Sequence, residues 1–243
     1  MTWRVGAFAA LFALLAIYYA VAESLTDMTL WWEVVFLGFV LIPAVFGLVY
    51  LALPLWRMRW LFPAAVAFAL LAVALELLDW GYAASFAKLA ALTLVAFWFL
   101  GYFETLSWIV IVALIIPVVD AFSVFRGPTR HIVTEKPSIF DRLSFAFPVP
   151  GEPDPARLGP PDLMFFALFL AASARWNLRV GWTFVAMALS FGGTLALAVW
   201  LELSGLPALP FLSLGFLLPN ADLLWRRLVP RQRATAPNSP SSS

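Results

Sequence analysis

The sequence contains no cysteine at all, a single histidine, and only 12% charged residues over 243 positions. The first absence excludes disulfides, thiolate zinc sites and cysteine nucleophiles. The second leaves His131 unable to build a multi-histidine metal centre; a solvated loop histidine is its plainer role, and no metal or other cofactor is expected. The shortage of charge, with a net of +1, excludes the concentrated basic face that binding to phosphates requires, so no nucleic-acid partner is expected. What fills the space is apolar: 63% of residues are hydrophobic and mean hydropathy is +0.93. A soluble domain must show water a polar outer face, so several segments of this chain face lipid instead. The expected fold is all-α, a polytopic transmembrane bundle.

A spanning helix needs roughly 20 apolar residues. Runs bounded by charges or turn residues predict about eight spans, near 5–22, 31–55, 60–79, 83–103, 105–125, 160–175, 179–201 and 205–224. The fourth and fifth are divided only by Glu104 and its neighbours. Residues 1–104 thus form an N-terminal set of helices, and residues 105–228 a second region interrupted by a Pro-rich, charged loop at 126–158. Residues 229–243, ending "RATAPNSPSSS", carry almost nothing to bury and read as a disordered tail. The first run has the basic start and small "AVA" end of a secretion signal, but its apolar stretch exceeds the usual signal core and favours a retained helix.

If the spans alternate, Arg4, Arg57, Arg59, Arg175, Arg179, Arg226, Arg227, Arg231 and Arg233 share one side, and Glu23, Asp27, Glu76, Asp79 and Glu202 share the other. Positive charge marks the cytoplasmic side, so both termini are expected there and the 126–158 loop outside. The loop runs against this rule, since it carries Arg126, Arg130, Lys136, Arg142 and Arg157.

Two carboxylates stand out because a charge near the bilayer centre costs at least ~2.5 kcal/mol. Asp120 lies just inside the end of "IVALIIPVVDAFSVFRGPTR", and Asp162 just inside the start of "LGPPDLMFFALFLAASAR". At 1.5 Å per residue both sit roughly 5–8 Å from their helix ends. The loop joins those ends, which puts both carboxylates near one face of the membrane. Two close carboxylates in a low-dielectric site share a proton and become a matched acid and base, able to activate water against a peptide carbonyl. The same spacing also fits a proton relay in a transporter or channel, with Glu33 and Lys88 as further charges, or interfacial aspartates favouring helix ends. Glu33 and Lys88 lie close enough to span ends to snorkel. A third feature, "SGLPALPFLSLGF", opens the last span, where Pro207 and Pro210 disturb the first turn and free backbone groups on the same face as the carboxylates. An extended substrate could pair with such backbone.

An intramembrane Asp followed by "SVFRGP", a Gly-x-x-Asp opening the next helix, and "PALP" in the final helix together resemble the presenilin and signal peptide peptidase family of intramembrane aspartyl proteases, over roughly residues 105–222. The resemblance implies a presenilin-like fold, with Asp120 and Asp162 as the catalytic pair. Gly159 would be the first glycine of the Gly-x-Gly-Asp motif, and Pro207, Ala208 and Leu209 the Pro-Ala-Leu element that shapes the substrate groove. Its further implications are single-span or signal-peptide substrates and, for a bacterial- or archaeal-type homologue, a prokaryotic plasma membrane. Three departures stand beside it. Val119 replaces the usual Tyr, Pro161 replaces the second glycine, and the family commonly has nine spans against the eight counted here. Proline lacks glycine's backbone freedom, which predicts an altered turn or reduced activity. A relative that only binds membrane helices, without cleaving them, is the corresponding alternative.

Overall fold

The computed structural model describes residues 2–126, 141–202 and 207–228, and they are predominantly helical. In chain order they form α1 (Thr2–Val21), α2 (Leu30–Phe36), α3 (Ile42–Ala52), α4 (Leu61–Leu77), α5 (Gly81–Phe99), α6 (Leu106–Arg126), α7 (Pro160–Arg175), α8 (Val180–Trp200), α9 (Leu209–Leu217) and α10 (Ala221–Leu228). A π turn at Leu37–Leu41 joins α2 to α3 without a break, and a 3-10 turn at Leu218–Asn220 separates α9 from α10. By length and composition, five helical stretches can cross a membrane: Trp3–Ser24, Leu30–Arg57, Gly81–Tyr102, Leu106–Ser123 and Val180–Trp200. The other three expected spans are shorter or broken: α4 has 17 residues, α7 has 16, and the last segment divides at Pro219. The weak division between the fourth and fifth runs is real, because α5 gives way to a short 3-10 turn at Leu100–Tyr102 before α6 begins.

Helices surrounded by lipid gain little from hydrophobic burial and associate through close packing at small residues. Here α8 crosses the α2–α3 segment where Gly192 meets Gly38. A Cβ on Gly38 would lie 2.7 Å from the Gly192 Cα, so only glycine at both positions permits the approach. The centre of the bundle is α7, whose residues Leu163 and Phe166 through Ser173 are all buried. Phe166 stacks on Phe46 with ring centroids 3.9 Å apart, and Phe169 stacks on Phe216 at 4.9 Å.

The described part of the charged connection, residues 141–158, is more regular than its composition suggests. Residues 127–140 and His131 lie outside the described residues, as does the 229–243 tail. Residues 145–158 contain an antiparallel ribbon, β1 (Phe145–Phe147) and β2 (Ala156–Leu158), paired with Ala146 opposite Arg157. Phe145 and Phe147 are buried against the bundle. Tyr18 Oη donates to the Pro148 carbonyl at 2.8 Å, Tyr19 Oη to the Ala146 carbonyl at 3.1 Å, and the Gly151 N–H to the Ala22 carbonyl at 2.9 Å. The all-α expectation is therefore amended by one small sheet, clamped to the C-terminal end of α1.

The opposite end is closed differently. Arg179 makes a bidentate pair with Asp222, both contacts at 2.8 Å, and the buried Asn220 donates to Thr183 Oγ1 and the Phe216 carbonyl while accepting the Arg179 N–H. Arg175 reaches the Leu100 carbonyl, and Arg227 the Trp176 carbonyl. These basic residues bind the turns together where two chain reversals leave carbonyls without helical partners.

Candidate active site

Asp120 lies near the C-terminal end of α6, six residues before Arg126 and three after Pro117, the one proline inside that helix. Proline has no N–H and cannot bond the carbonyl four residues back, that of Ala113, so the ladder is loosened one turn before the carboxylate. Asp120 is partly buried and accepts the backbone N–H of Leu209 at 3.2 Å. The first N–H groups of a helix have no partner within it. Leu209 is the first residue of α9, after Ala208 as its N-cap, so Asp120 supplies the missing acceptor from another helix.

Asp162 occupies the third position of α7, behind Pro160 and Pro161. Its carboxylate faces the N–H of Gly159 and lies within electrostatic reach of Asp120. Gly159, the N-cap, has φ −66° and ψ 150°, an ordinary extended conformation open to any residue. A Cβ there would touch Asp162 Oδ2 at 3.4 Å, an ordinary contact. Pro161 also fits without strain, since the first turn of a helix asks no N–H of its residues and suits proline's fixed φ. The altered turn expected from its replacement of glycine is therefore resolved by placing both prolines in the first helical turn.

Pro207 is buried, Ala208 partly so, and Leu209 is 4% exposed. The last segment begins at Leu209 with Pro210 in its first turn, where proline costs no hydrogen bond. α9 packs along α6, α7 and α8. Residues far apart in sequence thus converge: Asp120 from α6, Gly159 and Asp162 from α7, and the Pro207–Leu209 element on the Asp120 side. Val119 instead lies on the outer flank of α6, 56% exposed.

The other charges noted in the sequence have different surroundings. Glu33 lies in the first turn of α2, at a span end. Lys88 does not snorkel freely; it pairs with Glu76 at 2.5 Å and donates to the Ser144 carbonyl at 3.2 Å. Among the described residues no three His, Asp or Glu side chains come together as a metal-binding group. Sequence reading missed Pro117 and the Tyr18–Tyr19 clamp. The first was visible as "IIPVVD"; the second depends on partners more than a hundred residues away.

No family model matches the chain, and no curated protein is significantly similar to it.

Proposed function

We propose that this protein is an intramembrane aspartyl protease in which Asp120 and Asp162 hydrolyse peptide bonds within a transmembrane segment or signal peptide. The observation that carries the reading is the convergence of two carboxylate-bearing helices, α6 and α7, on the start of α9, whose first N–H orients Asp120. Such a carboxylate pair holds one proton between its members. The ionised carboxylate takes a proton from water as its oxygen bonds to the scissile carbonyl carbon, and the protonated partner donates to the carbonyl oxygen. Collapse of that intermediate breaks the C–N bond, the amine leaves with a proton from the pair, and the acid product carries the water oxygen. The chemistry requires no metal or cofactor.

A helical substrate hides its carbonyls in internal hydrogen bonds and must become extended first. β2 ends one residue before Gly159, and among the described residues its outer edge pairs with no further strand. An extended peptide added at that edge would be held by main-chain bonds beside Asp162. Lys88 supports this reading over a proton relay, because its ammonium is committed to Glu76 and a loop carbonyl. In this reading α1, the α2–α3 stretch, α4, α5, α6, α7, α8 and the α9–α10 stretch are eight spans, both termini are cytoplasmic, and the ribbon lies outside. That orientation matches the signal peptide peptidase branch, whose substrates run N-terminus inward.

The test is a panel of single-span peptides reconstituted in both orientations with the purified protein in liposomes. Cleavage confined to N-terminus-inward substrates is expected. Cleavage of the opposite set alone would reverse the orientation, and well-folded protein that cleaves neither set would contradict the proteolytic reading.

A further inference from the structure

The polar face of α5 has no part in the chemistry, yet it determines where the ribbon sits. Ser85 and Lys88 are three residues apart and so project from one side of the helix. Ser85 Oγ donates to the Gly81 carbonyl at 3.1 Å and accepts the Ala146 N–H at 3.3 Å, using both capacities of a hydroxyl. Lys88 Nζ donates to the Ser144 carbonyl at 3.2 Å, while Glu76 on α4 neutralises it at 2.5 Å. The lysine side chain is only 12% exposed, which makes the Glu76 partner necessary: a buried ammonium without one is strongly disfavoured.

These two side chains grip the chain at the start of β1, the preceding Ser144 by its carbonyl and the central Ala146 by its N–H. Ala146 pairs directly with Arg157 of β2. Two residues beyond Arg157 is Gly159, and three further is Asp162. Strand side chains alternate with a period of two, and all three residues of β1 are buried, so a one-residue slip would force a phenylalanine ring into the place that holds the small Ala146 side chain. The hydrogen bonds from α5 fix which register is adopted.

We infer that Ser85 and Lys88 are positioning residues: they fix β1 on α5 and, through the β1–β2 pairing, place Gly159 and Asp162. Lys88 is thus a structural charge whose work is done at a distance from the carboxylates. The kinetic part of this inference rests on the proteolytic reading; the placement of the ribbon does not.

The test separates the two. The chain has no cysteine, so spin labels can be placed at Trp80→Cys, in the α4–α5 turn, and at Asp154→Cys, between the strands, without removing other thiols. The unsubstituted background should give a narrow inter-label distance distribution. Lys88→Met and Ser85→Ala should each broaden or shift it, lower cleavage about 10-fold or more, and spread cleavage over neighbouring peptide bonds, since small misplacements at a reacting centre are costly. Lys88→Arg should restore a single cleavage position. If Lys88→Met does not yield monodisperse protein, Ser85→Ala carries the test. An unchanged distance distribution in the folded variants would overturn the inference. So would a lower rate with the cleavage position unchanged, which marks a merely structural loss. Labels that respond while the unsubstituted protein cleaves nothing would leave the anchoring role standing and remove the proteolytic reading.

Discussion

The two helices that bring the carboxylates together are opposites. α7, which carries Asp162 in its first turn, is buried from Phe166 through Ser173 and packs on aromatic rings from three other segments. α6, which carries Asp120, packs mainly on α9 and leaves Trp108, Leu114, Ile115, Val118 and Phe122 exposed. One half of the site is therefore built into the core, while the other rides on a peripheral helix loosened by Pro117. The geometry of the pair is set where α6 meets α9, through the Leu209 N–H on Asp120. In the proteolytic reading proposed above, the outer flank of α6 is the side open to a substrate helix in the bilayer.

That contrast can be broken most severely at α7. Phe166→Ala removes a fully buried ring stacked on Phe46 and is expected to cost about 3–5 kcal/mol, as for large-to-small core changes generally. Ile115→Ala on α6, at a position 54% exposed, should change stability by less than about 0.5 kcal/mol. Reversible unfolding in mixed micelles measures both, and similar costs would refute the proposed asymmetry.

A smaller effect is expected at the α8–α9 contact. A Cβ on Gly215 would lie 2.9 Å from the Met187 backbone, so Gly215→Ala must push α9 away from α8. Overpacking of this kind costs roughly 1–3 kcal/mol. Because α9 also holds Leu209 against Asp120, cleavage should fall by more than stability alone explains; a matched fall would show that the α9 contact does not govern the pair. Gly159→Ala should be milder still, within about 10-fold in rate, since the new methyl meets Asp162 Oδ2 at ordinary contact distance and the backbone is unstrained. Loss of all cleavage in this variant would mean that glycine has a role beyond the geometry described.

The smallest change is expected at the far end. The Arg179 guanidinium makes a bidentate pair with the Asp222 carboxylate, both partners nearly half exposed. This surface pair is well solvated, so its contribution is slight. Asp222→Asn should lower the thermal unfolding midpoint only slightly and leave cleavage unchanged. A change in cleavage position would show that the two ends of the bundle are coupled.

Much of this arrangement is readable from sequence because apolar runs, prolines and isolated carboxylates report local chemistry. Each of the eight runs contains helix, and Asp120 of α6 meets the Leu209 N–H at the start of α9. The ribbon was not readable. Three-residue strands are too short to show alternation, and the proline and charge around "FAF" and "ARL" suggest an irregular loop. Their stability comes from Tyr18, Tyr19, Ser85 and Lys88, all distant in sequence. Lys88 was misleading for the same reason: nearness to a span end suggests snorkelling, whereas its partners are Glu76 and a carbonyl 56 residues away. Pro161 looked like a lost glycine until its place in the first turn of α7 was known.

The central claim is that Asp120 and Asp162 act as one unit. Its most direct test is the cleavage rate of a single-span peptide by the unsubstituted protein, Asp120→Asn, Asp162→Asn and the double variant, all reconstituted identically. Groups that work together are non-additive, so removing either should cost as much as removing both. The account predicts the same background rate in all three variants. A single variant that still cleaves well above background, or losses that multiply in the double variant, would contradict it.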